Sequence, residues 1–492
     1  MSVKLSLASL KTLPKSVAAP KYERSSLKAG IFHIGVGNFH RAHQAVYLDD
    51  LFNQGRDHDW ALIGAGVRET DIAMREKLAA QDWLTTVVEQ EAHASAAHVT
   101  GAMVDFIKPF DVAGNLAVLT RPEIRIVSLT VTEGGYYISP ATHQFDPTHP
   151  DIVADAKNPD AAKTAFGMIV SGLRARRAAG IQPYTVMSCD NLPGNGHVTE
   201  NAVAGLAELS DPDLAKWIRG NVAFPNAMVD RITPATTDRE RSLLKEQWGV
   251  EDNWPVFCEE FKQWVVEDHF PAGRPALEDV GVTFASDVAP YELMKIRILN
   301  GGHAAIAYPA GLLGIHFVHE GMEDKQIAEF LETLTKREII PVVPPPPKVD
   351  LEAYRKKVAE RFANPRIGDT ITRLCLDGSN RQPKFVLPTV RDRLKAAASV
   401  KGLALVSAMW CRYCYGEAEN GKPIPPNDPS WDRLQAAAKF ARNDPRAWLA
   451  LGDIFGDLAT NPAYIETFSS ALASLWSKGV RITLADYLRA AD

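Results

Sequence analysis

The stretch IFHIGVGNFHRAH, Ile31 to His43, has the pattern of a buried strand that passes through a glycine turn into a helix. Gly35 and Gly37 stand where the strand ends. At such a point, free backbone N–H groups and the positive end of a helix can bind the pyrophosphate of a dinucleotide. The usual G-x-G-x-x-G motif would place a third glycine at position 40, which is His40 here. That glycine serves helix–strand packing, so its loss leaves the phosphate site possible. A plain strand-to-helix turn stays the alternative, because Gly-x-Gly alone is a weak signal.

Around this stretch, strand-like and helix-like segments alternate as far as about Leu192. WALIGAGV, IRIVSLTVT and YTVMSCDNL are predicted strands, and TDIAMREKLAAQ and AAKTAFGMIVSGLRARRAAG are predicted helices. Such alternation predicts a mostly parallel sheet covered on both faces. From about Tyr291 onward the segments favour helices, except PVVPPPP (341–347), which predicts an extended connection. We therefore predict a Rossmann-type α/β dinucleotide-binding domain, residues 1–286, followed by a mostly α-helical substrate and catalytic domain, residues 287–492.

Composition narrows the possible classes of protein. A chain of 492 residues exceeds what one hydrophobic core usually organises. The net charge of −6 is spread along the sequence, which argues against nucleic acid as the main partner. The N-terminus lacks a signal-peptide core, and proline and glycine interrupt the longest apolar stretch, so no membrane partner is expected. Five cysteines, an odd number, do not indicate a disulfide framework, and a cytoplasmic protein is expected.

Residues around the glycine turn and after the second predicted strand are candidates for cofactor contacts. GAGVRETD offers Glu69 and Asp71 for the adenosine ribose hydroxyls. A carboxylate there repels the extra phosphate of NADP and favours NAD, whereas Arg68 could bind that phosphate. Arg41 could add a contact to the pyrophosphate. The predicted contacts at the turn itself are Ile34, Gly35, Val36, Gly37, Phe39, His40 and Arg41.

A second constellation lies in MKIRILNGGH, Met294 to His303. On an ideal helix at 100° per residue, Glu292, Lys295, Asn300 and His303 fall within one half of the surface. Ile296 and Leu299 share that half, so it does not resemble a solvated charged stripe. A buried helix whose lysine reaches solvent is the alternative interpretation.

Dehydrogenation of an alcohol needs a base for the hydroxyl proton and donors for the charge that develops on oxygen. A lysine can be that base if burial lowers its pKa, and Lys295 is the candidate. Asn300 and Asn191, which follows the predicted strand YTVMSCDNL, could donate to the oxygen. Gly301 and Gly302 are expected to let substrate or cofactor approach the helix backbone closely.

Five motifs, GVGNFHRAHQ, SLTVTEGGY, TVMSCDNLPGNG, FPNAMVDRITP and MKIRILNGGH, follow one another along the chain. By them the chain resembles the polyol-specific long-chain dehydrogenases from about residue 28 to the C-terminus. The resemblance implies an NAD-dependent, metal-free interconversion of mannitol and fructose, so the expected partner is a small polyol or ketose. It also implies an active site in the cleft between the two domains.

The resemblance also assigns roles to single residues. Lys295 is implied as the general base, Asn191 and Asn300 as the oxyanion pocket, His303 as a positioner of substrate and lysine, and Glu292 as a proton outlet. Thr132 and Glu133, within TEGGY, are implied beside the nicotinamide. The implied substrate contacts are Asp230, Arg373, Arg381 and Lys384, with Arg381 standing where relatives carry lysine.

Several alternatives stay open at this point. The same signature covers fructuronate reductases, arabinitol dehydrogenases and sorbitol dehydrogenases, although PKF (383–385) favours the mannitol branch. CRYC (Cys411, Cys414) has the spacing of a zinc or redox pair, but two packed thiols are expected because no second pair exists. A nucleotide-sensing protein would keep the glycine turn but would have no use for Lys295 with two asparagines. The sequence does not fix the oligomeric state, and a monomer is compatible with it.

Overall fold

The computed structural model describes residues 2–139 and 144–491. The chain divides into two compact units, Met1–Ala289 and Pro290–Asp492. The domain boundary predicted from the sequence, after residue 286, lies just before this division, in the segment that leads into the helix Ala289–Met294. Each unit is described by itself below.

The first unit contains strands and helices in alternation. Its strands are β1 (Val3–Lys4), β2 (Val17–Ala18), β3 (Ala29–Ile34), β4 (Ala61–Ala65), β5 (Thr85–Gln90), β6 (Ser95–Thr100), β7 (Met103–Phe106), β8 (Ile126–Leu129), β9 (Thr185–Ser188), β10 (Ala227–Asp230), β11 (Val250–Glu251), β12 (Val256–Glu259), β13 (Gln263–Glu267) and β14 (Thr283–Ala285). Its helices are α1 (Asn38–Ala42), α2 (Gln44–Asn53), α3 (Thr70–Ala79), α4 (Val112–Leu119), α5 (Pro150–Lys157), α6 (Ala165–Ala179), α7 (Asn195–Glu208), α8 (Pro212–Asn221) and α9 (Asp238–Trp248). Short 3₁₀ helices cover Leu7–Thr12, Arg24–Ser26, Glu133–Tyr136, Pro159–Ala161 and Leu277–Val280.

The central sheet of this unit has the strand order β7-β4-β3-β8-β9, and its neighbouring strands run parallel. Numbered in chain order, these strands lie in the order 3-2-1-4-5, the arrangement of the doubly wound dinucleotide-binding fold. The predicted Rossmann-type sheet is therefore confirmed. The strand order reverses between β3 and β8, and open sheets of this type bind ligands beyond the carboxyl ends of the strands at that point.

Both faces of the central sheet are buried, which explains the continuous apolar runs in its strands. Ile31 and Leu62 pack with side chains of α2 and α3 on one face. Phe32 and Ile63, one residue further along their strands, pack with side chains of α4, α6 and α7 on the other. The alternation follows from the two-residue repeat of a strand.

Smaller sheets accompany the central one, and sequence analysis did not predict them. One has the order β12-β5-β6-β2, with β5 and β6 antiparallel. Another has the order β10-β13-β14, in which Asp230 at the end of β10 lies opposite Gln263. Strands β1 and β11 form a short parallel pair.

The second unit is helical. Its helices are α10 (Ala289–Met294), which spans the division, α11 (Gly301–Leu312), α12 (Val318–Glu323), α13 (Lys325–Leu334), α14 (Leu351–Phe362), α15 (Ile371–Cys375), α16 (Gly378–Phe385), α17 (Leu387–Lys395), α18 (Lys401–Cys414), α19 (Trp431–Ala441), α20 (Arg446–Leu449), α21 (Gly452–Phe455) and α22 (Pro462–Ala491). Two π-helical turns cover Lys295–Asn300 and Thr335–Ile339, and 3₁₀ helices cover Ile340–Val342, Pro365–Ile367 and Gly456–Thr460. The helices enclose one large apolar cluster in which α11 and α18 supply many of the buried side chains.

The proline-rich segment corrects one prediction. Pro341 lies inside the 3₁₀ helix Ile340–Val342, so the segment is not extended throughout. Proline is compatible with the first turn of a helix because its missing N–H would have no partner there. Within residues 2–139 and 144–491, no helix has the length and apolar character needed to cross a membrane.

Candidate functional site

The glycine turn follows β3 at the reversal point of the central sheet. Gly35 has φ +96°, and a Cβ there would lie 2.2 Å from the carbonyl oxygen of Thr130, so both backbone conformation and space require glycine. A Cβ at Gly37 would meet nothing within 4 Å, which leaves open space where the chain enters α1. The first N–H groups of a helix have no intrahelical acceptor. The turn therefore offers donors and room, as a bound pyrophosphate requires.

The side chains around this turn point away from that space. Ile34 and Val36 are fully buried, so only their backbone could meet a ligand. His40 is also buried and stacks on His33 with ring centroids 3.4 Å apart. Burial, followed by the charges of neighbouring side chains, lowers the pKa of His40 well below its ordinary value. His40 therefore takes the packing position that a third glycine would otherwise fill, and Phe39 stacks on His43, where α1 breaks from α2.

Arg41 corrects the expectation of a charged contact to phosphate. Its side chain is buried, and its guanidinium donates to the carbonyl of Trp254 and, at 2.7 Å, to Asn38 Oδ1. Burial lowers the pKa of Arg41 to about 10. Arg41 therefore fixes the start of α1 from inside the unit.

The acidic candidates after β4 divide into two kinds. Asp71 turns inward, where its Oδ2 accepts the backbone N–H groups of Val67 and Arg68, each at 2.9 Å. Asp71 therefore fixes the turn after β4, and this role replaces the predicted contact to ribose. Glu69 is exposed at the start of α3. The Arg68 guanidinium donates to the Val131 carbonyl at 3.1 Å and to Thr132 Oγ1 at 3.0 Å.

Other candidates lie beyond the carboxyl ends of the sheet strands in the first unit. Thr132 and Glu133 follow β8 and are exposed, and Asn191 follows β9 and is exposed. Asp230 ends β10 and is buried at 5% exposure. Thr132, Glu133 and Asn191 lie at the carboxyl edge of the central sheet, whereas Asp230 belongs to the sheet β10-β13-β14.

The opening segment of the second unit is not a regular α-helix. Helix α10 ends at Met294, a π-helical turn runs from Lys295 to Asn300, and α11 begins at Gly301. The predicted wheel at 100° per residue is therefore wrong across this turn. Isolated π turns within α-helices occur frequently at functional sites, because they rearrange side chains that a regular helix would separate.

This turn combines a buried lysine with polar atoms that lack partners. Lys295 is 7% exposed, which excludes the alternative of a lysine reaching solvent. Asn300 Oδ1 and His303 Nε2 are buried, and neither has a hydrogen-bond partner among the described residues. Because buried polar groups in proteins are nearly always satisfied, two such atoms near one lysine indicate a site for a ligand. Glu292 is half-buried on α10, one turn before Lys295.

Positive charge surrounds His303. Its ring stacks on Phe362 of α14 with centroids 4.2 Å apart. Burial, followed by the charges of Arg373, Arg361, Arg381 and Lys295, lowers the pKa of His303 well below its ordinary value. His303 is therefore a neutral imidazole. Sequence analysis missed Arg361 and Phe362, which end a helix with no motif of its own.

The predicted substrate contacts of the second unit lie on α15 and α16. Arg373 is exposed and pairs with both carboxylate oxygens of Asp369. Arg381 donates to the Leu374 carbonyl at 3.0 Å. Lys384 is exposed on the same helix as Arg381. The charges of Arg373 and Arg381 contribute to the lowered pKa of His303.

The two glycines after the turn have a role other than the predicted one. A Cβ on Gly301 would lie 3.3 Å from the Phe385 carbonyl oxygen, and one on Gly302 would lie 3.3 Å from Leu331. Both glycines are buried. They allow close packing of α11 on neighbouring helices of its own unit, so packing alone accounts for both glycines.

The cysteine pair of CRYC lies in the core of the second unit. Cys411 and Cys414 are buried on α18 and form no disulfide in the described ranges. Burial raises the pKa of both thiols well above the ordinary value. No group of His, Cys, Asp and Glu with the arrangement of a metal site occurs in the described part of the chain.

The first unit has the sheet order and glycine turn of a dinucleotide-binding dehydrogenase domain. Residues 29–279 match the mannitol dehydrogenase Rossmann domain, and residues 287–476 match the mannitol dehydrogenase C-terminal domain. The chain belongs to the mannitol dehydrogenase family.

Relatives with known names cover nearly the whole chain. Mannitol 2-dehydrogenase of Cereibacter sphaeroides is 57% identical over 97% of this chain and 100% of its own length. Mannitol 2-dehydrogenase of Aspergillus fumigatus is 40% identical over 96% of each chain.

Two solved structures are similar over almost their full length. One is the Pseudomonas fluorescens mannitol 2-dehydrogenase in a ternary complex with NAD and D-mannitol, with a TM-score of 0.90, 41% identity, and coverage of 99% of this chain and 100% of that one. The other is a D-sorbitol dehydrogenase in substrate-free form, with a TM-score of 0.90, 35% identity, and coverage of 98% and 100%.

Proposed function

We propose that this protein oxidises D-mannitol to D-fructose with NAD and catalyses the reverse reaction. Membership of the mannitol dehydrogenase family makes it an NAD-dependent polyol dehydrogenase. The main observation behind the proposed reaction is the π turn. In it, buried Lys295 is followed by Asn300, whose Oδ1 lacks a partner among the described residues.

The glycine turn fits the dinucleotide. Open space at Gly37 and the start of α1 suit a pyrophosphate, and exposed Glu69 suits the adenosine ribose hydroxyls. The Arg68 guanidinium donates to the Val131 carbonyl and to Thr132 Oγ1. The carboxylate of Glu69 repels the extra phosphate of NADP, and on that ground we propose NAD as the cofactor. NAD, when bound, supplies the acceptor for the hydride that leaves the substrate carbon.

Lys295 is the proposed general base, and its Nζ takes the proton of the hydroxyl that is oxidised. An amine releases its proton most readily where it is buried and surrounded by other cations. Lys295 meets the first condition, since it is 7% exposed. Its charge acts on His303 together with the charges of Arg361, Arg373 and Arg381. Glu292, one turn earlier, is the proposed outlet for the proton.

The asparagines stabilise the oxygen. Asn300 Oδ1 has no hydrogen-bond partner among the described residues. We assign the NH₂ group of the same amide to donate to the oxygen as charge develops there. Asn191 is assigned the same role. Neutral His303 presents a buried ring nitrogen to the substrate, and this nitrogen can hold a hydroxyl without adding charge.

Charged side chains are proposed to bind the remaining hydroxyls of the polyol. These are Asp230, Arg373, Arg381 and Lys384, of which Arg373 and Arg381 lie near His303. The five free cysteines suit a reducing compartment, and we place the protein in the cytoplasm on that ground. We propose a monomer as the active state.

The test is the formation of NADH at alkaline pH with D-mannitol, D-arabinitol, D-sorbitol or D-mannonate, repeated with NADP on the best substrate. The proposal predicts preference for D-mannitol with NAD and D-fructose as the product. Preference for D-mannonate would make the protein a fructuronate reductase, and preference for D-sorbitol would move it towards the second structural neighbour. No turnover on any of them would reject an enzymatic role in polyol oxidation.

A further inference from the structure

A buried carboxylate joins two loops at the carboxyl edge of the central sheet. Asp190, in the loop after β9, is 8% exposed. Its Oδ2 accepts the Val131 N–H at 2.9 Å, its Oδ1 accepts the Thr132 N–H at 2.9 Å, and Tyr136 Oη donates to Oδ2 at 2.8 Å. Both oxygens of Asp190 are therefore committed to the turn that follows β8.

That turn has a backbone conformation that threonine disfavours. Thr132 has φ +67° and ψ 165°, a region occupied almost solely by glycine. Such a residue persists only where surrounding contacts fix it. Two hydrogen bonds fix it here. The Thr132 N–H donates to the Asp190 carboxylate, and the Arg68 guanidinium donates to Thr132 Oγ1.

The backbone of the same aspartate fixes the loop that carries Asn191. The Asp190 carbonyl accepts the Leu192 N–H at 2.9 Å and Asn195 Nδ2 at 3.0 Å. The fully buried Asn195 also exchanges hydrogen bonds with Ala227, at the start of β10. One residue is thus connected to the loops that bear Thr132 and Asn191 and, through Asn195, to the strand that ends at Asp230.

We propose that Asp190 is a positioning residue for hydride transfer. Its hydrogen bonds hold the strained Thr132–Glu133 turn against the nicotinamide and fix the position of Asn191 relative to that turn. Asp190 itself touches neither cofactor nor substrate. The inference rests on the proposed function, because it takes Thr132 and Glu133 to lie beside a bound nicotinamide, as the family resemblance implies.

The test is Asp190→Asn, measured by NADH fluorescence titration, by kcat and KM for D-mannitol, and by thermal melting. An asparagine keeps the size but turns an N–H donor toward the N–H of Val131 or Thr132. We expect NADH binding weaker by about 10-fold and kcat lower by about 10²-fold, since small displacements at a reacting centre cost that much.

Asp155 provides a matched control in the same unit. It is 5% exposed and likewise accepts two backbone N–H groups and one hydroxyl, from Lys163 and Thr164. Asp155→Asn should lower the melting temperature as Asp190→Asn does, while NADH binding and kcat stay within about twofold of the parent protein.

Thr132→Gly, introduced together with Asp190→Asn, distinguishes a positioning role of Asp190 from a merely structural one. Glycine adopts φ +67° without strain, so the double variant should recover NADH affinity by about fivefold or more over Asp190→Asn. Should Asp190→Asn not fold, Tyr136→Phe removes one of the three hydrogen bonds and should weaken NADH binding by about two- to fivefold.

The outcomes separate the two proposals. If the parent protein does not bind NADH, the proposed function fails. If the parent binds NADH but Asp190→Asn matches the Asp155→Asn control, or if Thr132→Gly gives no recovery, the positioning role of Asp190 is wrong.

Discussion

Lys295 and Asn300 are the first and last residues of one π-helical turn. In an ideal α-helix, residues five apart are separated by about 140° around the axis. The i→i+5 hydrogen bonding of a π turn widens the ring and brings such residues closer to one side. The turn therefore brings Lys295 and Asn300 closer to one side of the helix, as the roles proposed for them at one substrate oxygen require.

Asn300→Ala tests whether the Asn300 side chain stabilises the charge that develops on the substrate oxygen. We expect kcat for D-mannitol oxidation to fall by about 10²–10³-fold, as on removal of an oxyanion donor. The melting temperature should not fall, because the change removes a buried oxygen without a partner among the described residues. Steady-state kinetics and thermal melting measure the two effects.

Asn115→Ala is the control for this variant. Asn115 Oδ1 is also buried without a hydrogen-bond partner in the described ranges, but it lies on α4 of the first unit. Its replacement should leave kcat unchanged. A kcat of Asn300→Ala equal to that of this control would remove Asn300 from the oxyanion pocket.

Gly302→Ala separates packing from ligand approach. The new methyl group would press on Leu331 at 3.3 Å and on Phe362 at 3.4 Å. We expect a change in unfolding free energy below about 2 kcal/mol, since overpacking and the better helix propensity of alanine oppose each other. KM for D-mannitol should change by less than about twofold. A tenfold rise in KM would show that a ligand does approach this glycine.

His40→Phe tests the buried histidines beneath the glycine turn. Burial lowers the pKa of His40 well below the unfolded value near 6.5, so below pH 6.5 the unfolded chain binds a proton that the folded protein does not. The free energy of unfolding therefore falls as pH falls through 6.5. His40 alone contributes on the order of 1 kcal/mol to that loss between pH 7.5 and 5.5.

A phenyl ring keeps the stacking on His33 but cannot be protonated. Denaturant unfolding at the two pH values should show a loss for His40→Phe that is smaller than that of the parent by about 1 kcal/mol. His197→Phe, which removes an exposed histidine, is the comparison. Equal losses in the parent and in His40→Phe would mean that His40 is protonated in the folded state.

The sequence sufficed for the sheet and for the identity of the residues in the π turn. The alternation of apolar strands and helices determines the first unit, because both faces of a parallel sheet must be covered. Lys295, Asn300 and His303 were recognisable as polar residues within an apolar helix. Their arrangement was not, since the helical wheel assumes a regular period that the π turn breaks.

Other features depend on partners distant in the chain. An acidic residue after β4 can bind a ribose or hold its own turn, and only the hydrogen bonds of Asp71 distinguish the two. Glycine beside a ligand and glycine beside another helix look alike in sequence, as Gly301 illustrates. Arg361 could not be foreseen, because its proximity to His303 arises from helix packing.

Whether Lys295 is the general base is tested by kcat for D-mannitol oxidation by Lys295→Ala, measured beside NADH binding and with added methylamine. We expect kcat to fall by about 10²–10⁴-fold, as for loss of a general base, with NADH affinity unchanged. Methylamine should restore part of the rate, and the restored rate should rise with pH. A variant that keeps the kcat of the parent would contradict the assignment of Lys295 as the base.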